Sequence, residues 1–512
     1  MYTHTLRLLF TIPRCSIPRL GLYLAGVFLL SVSAESAALV DRQGMLQVDG
    51  RPLLILGMYE NPKDDAELAE AVRCGFNLFQ CAPETAALDR LQRAGAKGWV
   101  NLGGALDLST NADQRTVQLA RVVERVGKHP ALLVWEGPDE ILWNQWWAPM
   151  ETLRAELRTM RNLTSAEGGL PSSGAGGSAQ MELSSLASQA QMNLERGLYP
   201  EFHQVRDEFW RRAGKPCPNP DVRVDDAPGR VRSVGEGITA GIQEVRRLDA
   251  HHVIWLNHAP RNSIADLRWF NRAADMAGCD IYPVPANLEV GHSDLTDMSL
   301  SSVGAYTRRM REAAPGRACA MVLQGFGWRD LRETVSEHQQ ALGIGRRPTF
   351  SESRFMAYDA LLHGANAILY WGTAHMKPVE DNGSATTGRP RLWQDLLRLG
   401  RELRALEPAL VAQPEDGLVV ATAPTFGSHD RPALVTSLRW VGEEAVLIVA
   451  NESGNGLRFA VERLPSKLNG RTLYRLGSSE EHRIAGTRLE DGIKGTEVHV
   501  YATSRSFEPT TP

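Results

Sequence analysis

The chain has 512 residues, of which 43% are hydrophobic and 23% charged, and its formal net charge is −4. This is the composition of a globular protein long enough for more than one domain. It carries no basic excess for nucleic acid or an anionic membrane, so neither is expected as a partner.

Arg7, Arg14 and Arg19 precede an apolar run, Leu20–Leu30, and small residues follow at Ser31, Ser33 and Ala34. That order reads as an export signal over 1–37, with cleavage near Ala34 or Ala37 and a secreted or periplasmic product. Retention as a membrane anchor is the alternative, although the run is short of the ~20 apolar residues of a membrane span. Beyond it, Asp49-Gly50 separates two alternating apolar runs, a hairpin signature. Cys74, Cys81, Cys217, Cys279 and Cys319 are odd in number and lack CxxC spacing, which gives neither a zinc pattern nor a disulfide framework.

Short apolar runs then alternate with amphipathic stretches. They are Leu53–Gly57, Phe76–Cys81, Lys97–Gly104, Ala131–Gly137, His251–Pro260, Gly278–Pro285, Cys319–Trp328 and Asn366–Thr373. Unalternating apolar strands joined by helices mean a parallel β/α sheet buried on both faces. Eight of them predict a closed (β/α)8 barrel over 38–410, and the absence of a Gly-rich fingerprint after the first strand argues against an open dinucleotide-binding sheet. A long insertion over 160–232 follows the fourth strand and contains the Gly/Ser-rich Thr164–Gln180, read as flexible. The helix Leu392–Leu410 ends the barrel. From 411 to 512 short alternating strands, with turns at Val441-Gly442 and Glu490-Asp491-Gly492, predict an all-β sandwich.

In such a barrel the C-terminal strand ends converge on one cavity. Here they carry Tyr59, Glu60, Gln80, Asn101, Glu136, Asp139, Glu140, Asn257, His258, Asp280, Tyr282, Gln324, Trp328, Trp371 and His375. The chain has 12 Trp against 10 Tyr, and flat indole faces stack on sugar rings as well as filling cores. His258, Asp280, His375 and Glu140 are metal-ligand types, but no spacing such as HExxH supports a metal, and no cofactor is expected.

The stretches "VDGRP" before the first strand, "HPALLVWEGPDE" at the fourth and "ILYWG" at the eighth resemble the retaining glycoside hydrolase superfamily with (β/α)8 barrels. "TEVHVYAT" resembles the sandwich that often follows them. The resemblance implies a carbohydrate substrate, an acid/base glutamate at Glu140 and a sugar-stacking tryptophan at Trp371. It departs at two points: Asp139 stands where Asn is usual, and Gln324 stands where the seventh strand usually carries the nucleophilic Glu. A neutral amide cannot form a glycosyl ester, so the two-glutamate mechanism does not carry over. The expected catalytic residues are therefore Glu140 as general acid, Asp139 beside it, and Asp280 as a base for water in an inverting reaction. Alternatively the substrate's own acetamide attacks, as the adjacent Asp-Glu of β-N-acetylhexosaminidases implies. Tyr59, Glu60, Asn101, Trp143, His258, Tyr282, Gln324, Trp328 and Trp371 are the expected sugar contacts. A carbohydrate-binding protein without turnover is the competing reading.

Overall fold

This computed structural model describes residues 38–165, 175–285, 299–331, 345–376, 390–424 and 434–509. The expected export segment lies outside them. Among the described residues no helix is long and apolar enough to cross a membrane.

Eight parallel strands close into a barrel: β1 Ile55–Met58, β2 Leu78–Gln80, β3 Lys97–Asn101, β4 Leu132–Glu136, β5 Val253–His258, β6 Met276–Ile281, β7 Ala318–Gln324 and β8 Ala367–Trp371. Ala367 pairs with Ile55, so β8 joins β1 and no edge remains. Every residue of β5 and β7 is buried, which is why these strands read as unbroken apolar runs. Gly278 is forced by packing, since a Cβ there would lie 1.6 Å from the Ala320 carbonyl oxygen. Inside the barrel Ile55, Leu78, Trp99, Val134, Val253, Trp255 and Leu369 fill the lumen, leaving only its C-terminal end for chemistry.

The helices are α1 Asp65–Arg73, α2 Thr85–Ala94, α3 Ala112–Val126, α4 Trp143–Thr164, α5 Ala175–Glu195, α6 Tyr199–Arg212, α7 Ala227–Leu248, α8 Ile264–Asn271, α9 Ser302–Ala313, α10 Trp328–Leu331, α11 Phe350–Leu362 and α12 Arg391–Leu410. The Asp64 carboxylate caps α1 through Ala66 N and Glu67 N, and Thr349 with Glu352 forms a capping box on α11. The Asp49-Gly50 hairpin forms with both residues at positive φ, as a type I′ turn requires. It places Ala38 and Leu46 against the floor of the barrel core.

The insertion begins earlier than its composition suggests. α4 already leaves the barrel at Trp143, and α4, α5 and α6 share a separate core that includes Leu153, Met160, Ala190, Phe202 and Phe209. α7 returns to the barrel wall through Val231, Ile238 and Ile242. Residues 166–174 of the stretch expected to be flexible lie outside the described residues, while 175–180 belong to α5, so helix replaces loop there.

α12 ends at Leu410, and the β-domain follows as two antiparallel sheets. Numbered on from the barrel, its strands are β9 Val419–Pro424, β10 Leu434–Val441, β11 Glu444–Asn451, β12 Leu457–Glu462, β13 Thr472–Arg475, β14 Glu481–Arg483, β15 Leu489–Ile493 and β16 Val498–Ala502. The sheet orders are β9-β12-β15 and β10-β11-β16-β13-β14. The turn expected at Glu490-Asp491-Gly492 is instead the middle of β15, where Asp491 pairs with Phe459 and accepts the Tyr501 hydroxyl at 2.6 Å. One face of the larger sheet packs Ile448, Val498 and Val500 into the same core as the barrel helices.

Candidate active site

Side chains alternate in and out along each barrel strand. Tyr59, Gln80, Asn101, Glu136, Asn257, Asp280, Gln324 and Trp371 therefore belong to one inward-facing layer at the C-terminal ends. The hydrogen bonds divide this layer into three groups.

The first group is built around Glu136, which is wholly buried. It accepts from the Tyr59 hydroxyl at 3.2 Å, Gln80 Nε2 at 3.0 Å, Trp99 Nε1 at 2.9 Å and Asn101 Nδ2 at 2.9 Å. One carboxylate thus ties the tips of the first four strands together. Burial pushes its pKa up to about 7 and Asp139 adds to the rise, while the donors pull the other way. Tyr59 and Asn101, expected as sugar contacts, give these donors to Glu136. Glu136 itself had no expected role.

The second group joins β4, β5 and β6. Asn257 Nδ2 donates to Asp139 Oδ1 at 2.9 Å and to Asp280 Oδ1 at 2.6 Å. Two oxygens bound to one nitrogen at these lengths are at most about 5.5 Å apart. The Tyr282 hydroxyl is hydrogen-bonded to Asp280. Burial raises the Tyr282 pKa far above its ordinary value, with Asp280, Asp139 and Glu140 adding to the rise, so the phenol stays protonated. Asp139 stands at the rim and is open to water, yet the protein packed around it raises its pKa. Asp139 does not cap the next helix: residues 139–142 form a turn, and the residue before α4 is Leu142, without a side-chain cap. Asp139 instead accepts from Asn257 and from the Glu140 N–H. Glu140 has φ +46°, a left-handed conformation that L side chains rarely adopt and that recurs at functional sites.

The third group is aromatic. Trp371 stacks on Tyr282 with centroids 5.6 Å apart, and Phe326 meets it edge-on at 5.0 Å. Trp328 packs against Phe326 at 5.2 Å and Tyr282 at 6.3 Å. Trp371 and Trp328 keep part of their surface exposed.

Four expected sugar contacts are placed otherwise. Gln324 is wholly buried and spends its amide on backbone: Oε1 accepts from Val284 N at 2.9 Å, and Nε2 donates to the carbonyls of Val284 at 2.7 Å and Phe326 at 3.1 Å. Glu60 accepts from Gly372 N, Thr373 N and Thr373 Oγ1, tying β1 to the turn after β8. His258 follows the inward Asn257 and so points outward, where Nε2 meets Asn271 Oδ1 at 3.0 Å in α8. Burial lowers its pKa to about 4, leaving it neutral. Trp143 lies in α4, stacked on Trp147 at 5.4 Å.

No family model matches the chain, and no curated protein matches it. Solved structures of similar fold include glycoside hydrolases. One is a glycoside hydrolase family 5 protein from Bacteroides vulgatus, at 12% identity and TM-score 0.47, covering 91% of this chain and 93% of that one. Another is a β-galactosidase from Bacillus circulans sp. alkalophilus, at 10% identity and TM-score 0.46, covering 88% and 98%.

Proposed function

We propose that the chain is a glycoside hydrolase acting on an oligo- or polysaccharide with 2-acetamido sugars, with Glu140 as the general acid. The observation that carries this reading is the carboxylate pair Asp139 and Asp280, bridged by Asn257 beside the Tyr282 hydroxyl. Glycoside cleavage needs one carboxyl group to protonate the leaving oxygen and negative charge to support an oxocarbenium ion. Glu140 supplies the proton, and the pair supplies the charge.

Gln324 cannot be the nucleophile. Asp280 is already engaged by Asn257 Nδ2 and the Tyr282 hydroxyl, so its carboxylate is not free to hold an attacking water. The attacking group is then best supplied by the substrate. Asp139 would accept the acetamide N–H while Tyr282 turns its single O–H from Asp280 to the acetamide oxygen, which closes on the anomeric carbon as the leaving group departs with the Glu140 proton. Water then opens the oxazolinium ring with retention, and Glu140, now a base, takes the proton. Trp371 would carry the ring's C–H face.

Hydrolysis of aryl 2-acetamido-2-deoxy glycosides beside the plain aryl glycosides tests this reading. Release from the first set with retained anomeric configuration supports it, and release from the plain set alone removes the acetamide. One observation favours a binding protein without turnover: the seventh strand offers an amide bound wholly to backbone. Sugar binding without release on the same panel selects that reading. Export belongs to the proposal too, resting on the segment before Ala38. N-terminal sequencing of the exported fraction tests it, with a start near Ser36 or Ala38 expected and an intact Met1 contradicting it.

A further inference from the structure

The insertion carries a groove of about 610 Å³ between α4 and the end of α5. Its walls include Trp147, Arg154, Arg158, Arg161, Arg196 and Tyr199, and Glu195 is the one acid among the described residues that line it. The volume lies within the roughly 300–1,000 Å³ of ligand sites. Trp147 and Tyr199 also line a second cavity together with Arg261, on the loop after β5. Loops that follow barrel strands lie on the C-terminal face, so the groove leads from the insertion toward the side of the barrel mouth.

Arg154, Arg158 and Arg161 follow one another at spacings of four and three, which puts them on one face of α4. Like charges at such spacings weaken a helix. The chain has a net charge of −4, so the cluster is not the overflow of a basic composition. Arg154 pairs with Glu151 at 2.8 Å, and Arg161 donates to Gln191 Oε1 at 3.0 Å. Arg158 and Arg196 are exposed, and among the described residues neither side chain forms an ion pair or hydrogen bond. A cleft lined by one sign of charge focuses its field and gathers the opposite charge. Trp147 adds order. Its ring stacks on Trp143, and the guanidinium groups of Arg154 and Arg261 lie 5.8 and 5.1 Å from its centroid. A guanidinium held on an indole loses less freedom when its N–H groups take up a carboxylate or a sulfate.

We infer that this groove binds the anionic groups, carboxylate or sulfate, of an acidic polysaccharide. Its continuity with the mouth favours a sugar chain over other polyanions. It would guide the chain whose reacting ring lies in the mouth, an extension that rests on the proposed glycosidase reading. The substrate would then combine 2-acetamido sugars with acidic groups, and the insertion would set chain recognition rather than chemistry.

The test is calorimetric titration with three chains of matched length: a hyaluronan oligosaccharide, which carries carboxylates, a keratan sulfate oligosaccharide, which carries sulfates, and an N-acetylchitooligosaccharide, which is neutral. It uses the Glu140→Gln background, so that no chain is cut during the titration. An acidic chain should bind tighter than the neutral one by about tenfold or more, and its affinity should fall as salt rises. The tighter of the two acidic chains names the anion. Adding Arg158→Gln and Arg196→Gln should weaken that binding about tenfold, while the melting temperature holds. Equal binding of acidic and neutral chains, unchanged acidic binding in the double variant, or equal binding of a single-stranded DNA of matched charge would each overturn the inference. Turnover by the wild type of an aryl 2-acetamido glycoside, too short to reach the groove, reports separately on the glycosidase reading. Its absence beside intact binding of the acidic chain would remove that reading and leave the groove.

Discussion

Asp139 and Asp280 share one donor, the Nδ2 of Asn257, with contacts of 2.9 and 2.6 Å. Two acids so close disfavour each other's ionisation, and the amide offsets this by stabilising both charges. Replacing Asn257 with Leu should therefore raise the apparent pKa of the pair. Any turnover should fall at least tenfold, and the acidic limb of its pH profile should move upward. An unchanged profile would show that the bridge does not tune the site.

Glu136 makes a prediction about stability. Its pKa is about 7 in the fold against 4.5 in the unfolded chain. Between these values the unfolded state gives up its proton first, so the stability that Glu136 contributes is greatest below pH 4.5 and is lost as pH rises to about 7. The shift is worth about 3 kcal/mol at most. Urea melts of wild type and Glu136→Gln over pH 4.5–8 should show this slope in the wild type and a flatter one in the variant. Parallel curves would mean that the four donors keep Glu136 ionised throughout.

The barrel was readable because parallel strands buried on both faces leave apolar runs that turn signals bound. Other features left weaker marks. β13 and β14 are short and half polar, and Asp491-Gly492 looks like a turn until the Tyr501 hydroxyl is placed opposite it. Glu136 read as the residue that stops a strand. Its role depends on donors from three other strands, which only the closed barrel brings to it. One signal was available: Trp255, Asn257 and His258 lie on one strand, and with Trp255 in the lumen the two-residue period sends Asn257 inward and His258 out.

Gln324→Glu, which puts a carboxylate where the resemblance to glycoside hydrolase barrels implies one, should fail as a rescue. The new oxygens would face the Val284 and Phe326 carbonyls that Nε2 now serves. A loss of about 1–3 kcal/mol in stability is expected, with no gain in turnover. A stable and more active variant would mean that the side chain is free to swing into the cavity.

Trp371→Ala removes a ring packed on Tyr282 and Phe326 yet partly exposed. Titration should show weaker sugar binding, and melting a loss below the ~3–5 kcal/mol of a fully buried Trp. A full loss of that size with unchanged binding would make Trp371 core and remove it from the site.

The central claim is that Glu140 gives the proton to the leaving oxygen. The direct measurement is turnover of an N-acetylated oligosaccharide by wild type and Glu140→Gln, with an activated aryl 2-acetamido glycoside alongside. A fall of roughly 10²–10⁴-fold on the natural chain is expected, with a smaller fall on the aryl substrate, whose leaving group needs little protonation, and unchanged ligand affinity. Wild-type rates on the natural chain by the Gln variant would contradict it.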